Sequence, residues 1–74
     1  LFFRVKEASP VSLRVYSASG RLMATLADGT MEAGDYSRSW DGRDLDDRLA
    51  PAGVYFYRLE VGGAVETQQL VRVN

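Results

Sequence analysis

The chain has 74 residues, nine basic against ten acidic side chains, a formal net charge of −1, and neither cysteine nor histidine. This length supports one small domain, and the missing thiols and imidazoles exclude disulfides and the usual zinc ligands. The near-neutral charge argues against nucleic acid as a partner, because phosphate binding needs concentrated positive charge. No apolar run approaches the roughly 20 residues that span a bilayer, so we expect a chain that is not membrane-spanning.

Alternating apolar and polar residues predict strands over residues 1–5, 11–16 and 21–26. The buried faces of the first two strands are expected to carry Leu1, Phe3, Val5, Val11, Leu13 and Val15. In the third strand Met23 interrupts the alternation, and a β-bulge would turn both Met23 and Leu26 inward. Residues 17–20 predict a hairpin loop with Gly20 at the position that needs φ > 0.

The middle of the chain predicts a loop, a fourth strand and a long polar connection. Residues 27–34 hold two glycines and two acids and are predicted to be a loop. Residues 35–40 alternate, with Tyr36, Arg38 and Trp40 on one side, and we expect Trp40 to be buried. An arginine on that side indicates an edge position, where the guanidinium reaches water along an apolar stem. Residues 41–51 have no helical period and are predicted to be irregular.

The last two predicted strands, over residues 54–61 and 64–73, are joined by Gly62 and Gly63. Two glycines between β-rich runs indicate a tight type I′ hairpin with positive φ at both positions. The apolar face of the first strand is Tyr55, Tyr57, Leu59 and Val61. The second strand is expected to bury Val71 and Val73.

Short strands, turns every 8–12 residues or so and no helical segment favour an all-β fold. We predict a small Ig-like, fibronectin III-like antiparallel β-sandwich of about six to seven strands, formed by residues 1–74 as a single domain. A half-open barrel is the alternative architecture, because periodicity does not separate the two.

Four aspartates in the polar connection, Asp41, Asp44, Asp46 and Asp47, are the one set of side chains that suggests a metal, since Ca²⁺ prefers carboxylate and carbonyl oxygens. Their spacing lacks the alternate-residue rhythm and distal Glu of an EF-hand loop. The favoured interpretation is a solvated turn, with Asp41 capping the bend and Arg43 and Arg48 balancing the charge. We therefore predict no metal site and no cofactor.

The aromatic residues also have two interpretations. A flat sugar-stacking platform, as in carbohydrate-binding modules, would use Tyr36, Trp40, Tyr55, Phe56 and Tyr57. The favoured interpretation places Trp40, Tyr55 and Tyr57 in the core, because so small a domain has few other bulky residues. Tyr55, soon after Pro51, is a candidate tyrosine corner whose hydroxyl returns to the backbone.

The sequence offers no set of residues suited to catalysis. A serine nucleophile needs a base, and the chain has no histidine. The single lysine, Lys6, lies in an end strand, and the carboxylates cluster in loops instead of converging across a cleft. The chain is therefore predicted not to be an enzyme, with no catalytic and no cofactor-binding residues.

Several short motifs together resemble a known family. In order along the chain they are residues 11–16, 20–22, 25–26, 33–34, Trp40-Asp41-Gly42-Arg43-Asp44 and Ala52-Gly53-Val54-Tyr55-Phe56-Tyr57-Arg58-Leu59. Each is weak alone, but their order and spacing resemble the FlgD-like Ig-like domain of the flagellar hook-capping family. Closely similar domains form C-terminal sorting tails of bacterial proteins secreted by the type IX system.

The resemblance implies a non-catalytic C-terminal module of a longer exported protein, secreted or at the cell surface, that serves export, surface attachment or spacing. Its partners would be a neighbouring domain, the secretion machinery, or other copies of itself through strand addition. A structural subunit of an extracellular filament or of a hook-cap-like assembly is one alternative, and a carbohydrate-binding module is another.

Departures from the family pattern bear on sorting more than on fold. Ser17 stands where the family usually has Asp, and Arg38 where it usually has an aliphatic residue. Residues 67–74 lack the Lys-Lys pair and the basic end common in secretion tails.

Overall fold

A computed structural model describes residues 1–73. Its six strands are all paired antiparallel, and no helix occurs in the described chain. The strands are β1 (Phe2–Val5), β2 (Ser9–Ser17), β3 (Leu22–Met31), β4 (Gly34–Ser37), β5 (Gly53–Val61) and β6 (Ala64–Arg72). They form one sheet of β1 and β4 and one of four strands in the order β3-β2-β5-β6. The predicted all-β, two-sheet Ig-like architecture is confirmed.

The two-stranded sheet covers one half of the larger sheet. Phe3 and Val5 of β1 meet Val11 and Leu13 of β2 and Leu59 of β5 in a buried cluster. Tyr36 of β4 stacks on Phe3 with ring centroids 5.6 Å apart. The predicted inward parity of β1, β2 and β5 is confirmed, because alternate side chains of a strand point to one face.

The other half of the larger sheet is covered by the connection between β4 and β5. Ala50 from this connection joins Val15, Met23 and Tyr55 in a second buried cluster. Trp40 packs against that cluster but is only half-buried, so the prediction of a buried Trp40 is wrong. A polar, irregular segment thus completes the second layer of the sandwich where a strand would otherwise lie.

Strand β3 is longer than predicted and contains bulge-like register shifts, as its sequence suggested. Leu13 lies opposite Ala27 and Arg14 opposite Thr25, which leaves Leu26 as an extra residue, and a second register shift occurs between Val15 and Tyr16. Met23 and Leu26 both contact the core, which confirms the inward placement of both. The predicted loop over 27–34 is wrong for its first five residues, because they pair with the start of β2.

The predicted fourth strand ends early. Arg38 exchanges backbone hydrogen bonds with Leu1, and the chain then leaves β1 so that Trp40 reaches Tyr55, with ring centroids 4.9 Å apart. The Arg38 side chain is partly exposed beside the edge of the small sheet, with its guanidinium carbon 5.6 Å from the Tyr36 ring centroid. This agrees with the edge position predicted from its sequence.

Strand β6 faces the opposite way from the prediction. Leu70 lies opposite Tyr55 and packs against the second cluster, so Val71 points away from the core and is 60% exposed. Val73, beyond the strand, is 79% exposed. The prediction that both valines are buried is wrong, because the register of the β5–β6 hairpin places Leu70, not its neighbour, on the inner face.

Two turns were predicted from glycine. Gly20 has φ of +90° and donates its N–H to the Ser17 carbonyl at 2.9 Å, as predicted. Gly62 and Gly63 form the predicted two-residue connection, with Val61 opposite Ala64. Only Gly62, at φ +59°, has a positive φ, so the turn is of the II′ kind and the type I′ prediction is wrong.

Candidate interaction surfaces and the acidic connection

The carboxylates of the connection bind backbone amides of the same loop. Asp41 Oδ1 accepts a hydrogen bond from the Arg43 N–H at 3.0 Å, which is the predicted capping role. Asp44 Oδ1 accepts from the N–H groups of Asp46 and Arg48 at 2.9 and 3.0 Å. Side chains of this type stabilise turns by satisfying amides that the loop leaves without carbonyl partners.

The pKa of the Asp44 carboxyl is lowered from 3.8, chiefly because the Arg48 N–H binds the ionised form, with help from the Asp46 N–H and the nearby charges of Arg21 and Arg48. The Asp44 N–H and carbonyl also bond within the loop, to the Arg48 carbonyl and the Asp47 N–H. Asp44 is therefore the organising residue of the turn.

Arg43 and Asp47 of the turn pair with each other. Arg43 donates through Nη1 to the Asp47 carbonyl at 3.0 Å, and its Nε lies 3.8 Å from Asp47 Oδ1. Asp47 adopts φ +61°. In residues 1–73 no three acidic side chains converge in a way that suits a metal ion. The structure thus brings the four aspartates into one turn without forming a shared set of ligands.

Arg72 of β6 fastens the connection to the larger sheet. Its Nε donates to the buried Ala50 carbonyl at 3.0 Å, and its guanidinium carbon lies 5.9 Å from the Trp40 ring centroid. Gly42 lies directly against the guanidinium, where any Cβ would overlap it. The sequence analysis did not predict the contact between Arg72 and Gly42. The one local signal was the Trp-Asp-Gly motif, which contains Gly42 but does not indicate Arg72.

Trp40 and Tyr55 hold the two ends of the connection. The Trp40 indole N–H donates to the Arg43 carbonyl at 2.9 Å, and the Tyr55 hydroxyl donates to the Pro51 carbonyl at 2.6 Å. The predicted tyrosine corner is therefore present. Both aromatic side chains bond to the backbone through their polar atom, while the Tyr55 ring lies in the core and the half-buried Trp40 ring packs against it.

The five aromatic side chains considered for sugar binding do not form one platform. Tyr36 stacks on Phe3, Tyr55 is 4% exposed, and Trp40 and Tyr57 pack against the core. Phe56 alternates with them and points to the opposite face of the larger sheet.

That outer face carries apolar side chains that the core does not use. Tyr16 and Phe56 lie opposite each other in the β2–β5 ladder, both partly exposed, and Val54 faces Val71 next to them. Tyr16 was not predicted as a surface residue, although its parity is opposite to that of the buried Val15. This outer-face patch of Tyr16, Phe56, Val54 and Val71 is one candidate for protein contact.

A basic row borders the outer-face patch. Arg14 and Arg58 lie directly opposite each other, and Arg58 Nη2 is 3.1 Å from Glu60 Oε1.

On the inner side, a groove of about 610 Å³ runs between β1 and the β5–β6 hairpin, beside Phe2, which is 84% exposed. Both surfaces are open and shallow, as contact surfaces for proteins commonly are.

The comparison with protein families supplies the classification. The model of the FlgD Ig-like domain matches residues 3–67. The chain belongs to this family. No curated protein and no solved structure matches the chain. Within the described residues there is no helix long and apolar enough to cross a membrane.

Proposed function

We propose that this FlgD-like Ig-like domain is a non-catalytic module that exports, attaches or spaces a bacterial protein at or beyond the cell surface. The single observation that carries the proposal is that polar side chains in and around the connection form hydrogen bonds with the backbone of the domain. Asp44, Tyr55, Trp40 and Arg72 all direct their polar atoms to backbone groups of the domain itself. Side chains committed to the fold in this way are poor candidates for catalysis, so the domain acts through its surface.

Family membership supports the same assignment, since the family takes its name from a flagellar hook protein. Its partners would be the neighbouring domain of the parent protein and the export machinery, reached through the outer-face patch. Sorting by the type IX system is the narrower form of the proposal. Residues 67–74 lack a Lys-Lys pair, and this argues against full sorting by the type IX system.

The test is a reporter fusion. Residues 1–74, preceded by a signal peptide, are fused to an inert reporter in a host with type IX secretion. The proposal expects reporter at the surface or in the medium, and reporter without the domain in the periplasm. A double variant, Tyr16→Ser with Phe56→Ser, should keep the circular dichroism of the fold and lose surface delivery. Equal periplasmic retention with and without the domain contradicts an export role.

A structural subunit of a filament or hook-cap-like assembly is the second candidate, and the family match over residues 3–67 favours it. It predicts that the purified domain forms open-ended polymers or caps a filament. Electron microscopy and sedimentation distinguish the two candidates. A reporter that stays periplasmic, together with polymers of the purified domain, would favour the structural candidate.

A further inference from the structure

The two long edges of the larger sheet differ in a way that bears on self-association. Edge strand β3 carries two register shifts against β2. Edge strand β6 pairs with β5 at nine consecutive positions without a shift. Bulges protect an edge because they twist its free N–H and C=O groups out of line, and β6 lacks that protection.

The composition of β6 leaves its edge open as well. Residues 67–71 contain no charge, no proline and no glycine. Apart from the ladder to β5, no backbone hydrogen bond of residues 64–72 is made within the described chain. The other edges belong to β1 and β4, which have only four residues each. Natural proteins usually place lysine, proline or a bulge on a long edge strand.

The order of residues in β6 makes it complementary to itself. In an antiparallel pair of two copies centred on Gln69, Glu66 lies opposite Arg72, and the reverse pair repeats it. The Arg72 Nε stays bonded to the Ala50 carbonyl, so Arg72 supplies a fixed positive charge at this position. The same register sets Val65 opposite Val73, the residue that follows β6, and these are 54% and 79% exposed. Opposite charges and apolar β-branched residues in direct cross-strand positions stabilise a sheet. Shifting the centre by one residue to Gln68 or Leu70 loses the Glu66–Arg72 match.

We propose that β6 is a homodimerisation edge, which pairs antiparallel with β6 of a second copy about Gln69 and joins the two larger sheets into one eight-stranded sheet. Because the same strand serves both copies, this contact is isologous and closes as a dimer instead of growing into a filament. The inference does not depend on the export role. A closed dimer is compatible with export and with capping of a filament, and it is incompatible with open-ended polymers of this domain.

The first measurement is sedimentation equilibrium of the 74-residue chain up to millimolar concentration. The proposal expects a monomer–dimer equilibrium without larger species. A chain that stays monomeric over the whole range overturns the proposal, as does open-ended growth.

Substitutions at Gln69 test the register, because this residue meets itself across the two-fold axis. Gln69→Lys and Gln69→Glu should each raise the dimer dissociation constant by roughly tenfold or more through like-charge repulsion. An equimolar mixture of the two variants should recover association as a heterodimer, which a local folding defect could not produce. If the mixture associates no better than either variant alone, the register is wrong.

Thr30→Lys provides the matched control, because Thr30 is an exposed residue of the opposite edge strand β3. It should leave the dimer dissociation constant unchanged. Dimers that survive both Gln69 substitutions and are disrupted by Thr30→Lys would place the contact on β3 and overturn the proposal.

Discussion

The Arg72 guanidinium carbon lies 5.9 Å from the centroid of the Trp40 ring, and the Arg72 Nε donates to the Ala50 carbonyl at 3.0 Å. One residue of β6 therefore contacts both ends of the connection that covers the second core cluster. The stack on Trp40 is a cation–π contact, and the hydrogen bond satisfies a carbonyl of a buried residue. Arg72 thus joins the irregular half of the second layer to the larger sheet.

Gly42→Ala should destabilise the domain by more than the cost of its backbone conformation. Gly42 has φ +80°, and a Cβ there would displace the Arg72 guanidinium, which would lose its hydrogen bond to the Ala50 carbonyl. Gly20→Ala is the control, with φ +90° and open space around the Cβ, and should cost about 1–2 kcal/mol of unfolding free energy. Urea unfolding should show the larger loss for Gly42→Ala.

The same substitution in an Arg72→Ala background separates overlap from backbone strain. Without the guanidinium, the cost of Gly42→Ala should fall to that of Gly20→Ala. An unchanged cost in both backgrounds would mean that Arg72 does not brace Gly42.

Tyr55→Phe should lower the free energy of unfolding by about 1–2 kcal/mol, because it removes one hydrogen bond and leaves the Pro51 carbonyl without its donor. The hydroxyl-to-carbonyl distance is 2.6 Å in the intact corner. Tyr57→Phe is the matched control, since no hydrogen bond of the Tyr57 hydroxyl occurs in the part of the chain that the structure describes. Equal losses for the two variants would refute a specific role for the Tyr55 hydroxyl.

Gly62→Val should destabilise the β5–β6 hairpin more than Gly63→Val. Gly62 has φ +59°, a region that β-branched residues avoid, whereas Gly63 does not have positive φ and has free space around its Cβ. Thermal unfolding of the two variants measures the difference. The reverse order of melting temperatures would place the strained position at Gly63.

Stability should depend on pH through Asp44. Its folded pKa lies below the unfolded value of 3.8, so its ionised form stabilises the fold above that value. This contribution is lost as the pH falls through the lowered folded pKa. The urea midpoint of the natural chain should therefore exceed that of Asp44→Asn at neutral pH. The two midpoints should converge as the pH falls to about 2.

Asp46→Asn supplies the comparison for this pH series. Asp46 lies two residues further along the same turn, but its carboxylate makes no hydrogen bond or ion pair among residues 1–73. Its midpoints should follow those of the natural chain. A loss equal to that of Asp44→Asn would show that only the net charge of the turn matters.

Strand positions were predictable wherever one face is apolar and the other polar. Val11, Leu13 and Val15 alternate with polar or amphipathic residues, so local pattern alone locates β2 and its buried face. The end of the chain was not predictable in this way, because Leu70, Val71 and Val73 supply apolar residues of both parities. Only the register set at the Gly62–Gly63 turn decides that Leu70 faces Tyr55.

The candidate site was less predictable than the fold. The turn chemistry of Asp41 and the corner of Tyr55 follow from residue type and local spacing. The contact of Arg72 with Trp40 joins residues from distant parts of the chain, and no local pattern encodes it. The connection covers the second core cluster as a strand would, although its residues show neither the alternation of a strand nor an apolar run. Its position therefore also depends on tertiary contacts.

The central claim is that the polar side chains of the acidic connection serve the fold, so that the domain acts through its surface. The most direct measurement is the melting temperature of metal-free protein with and without millimolar calcium, because a ligand that binds only the folded state must raise it. The account predicts equal melting temperatures for the natural chain in both conditions, and a lower but equally calcium-independent one for Asp44→Asn. A calcium-dependent rise of several degrees that Asp44→Asn abolishes would contradict it and identify Asp41, Asp44, Asp46 and Asp47 as the first ligands to examine.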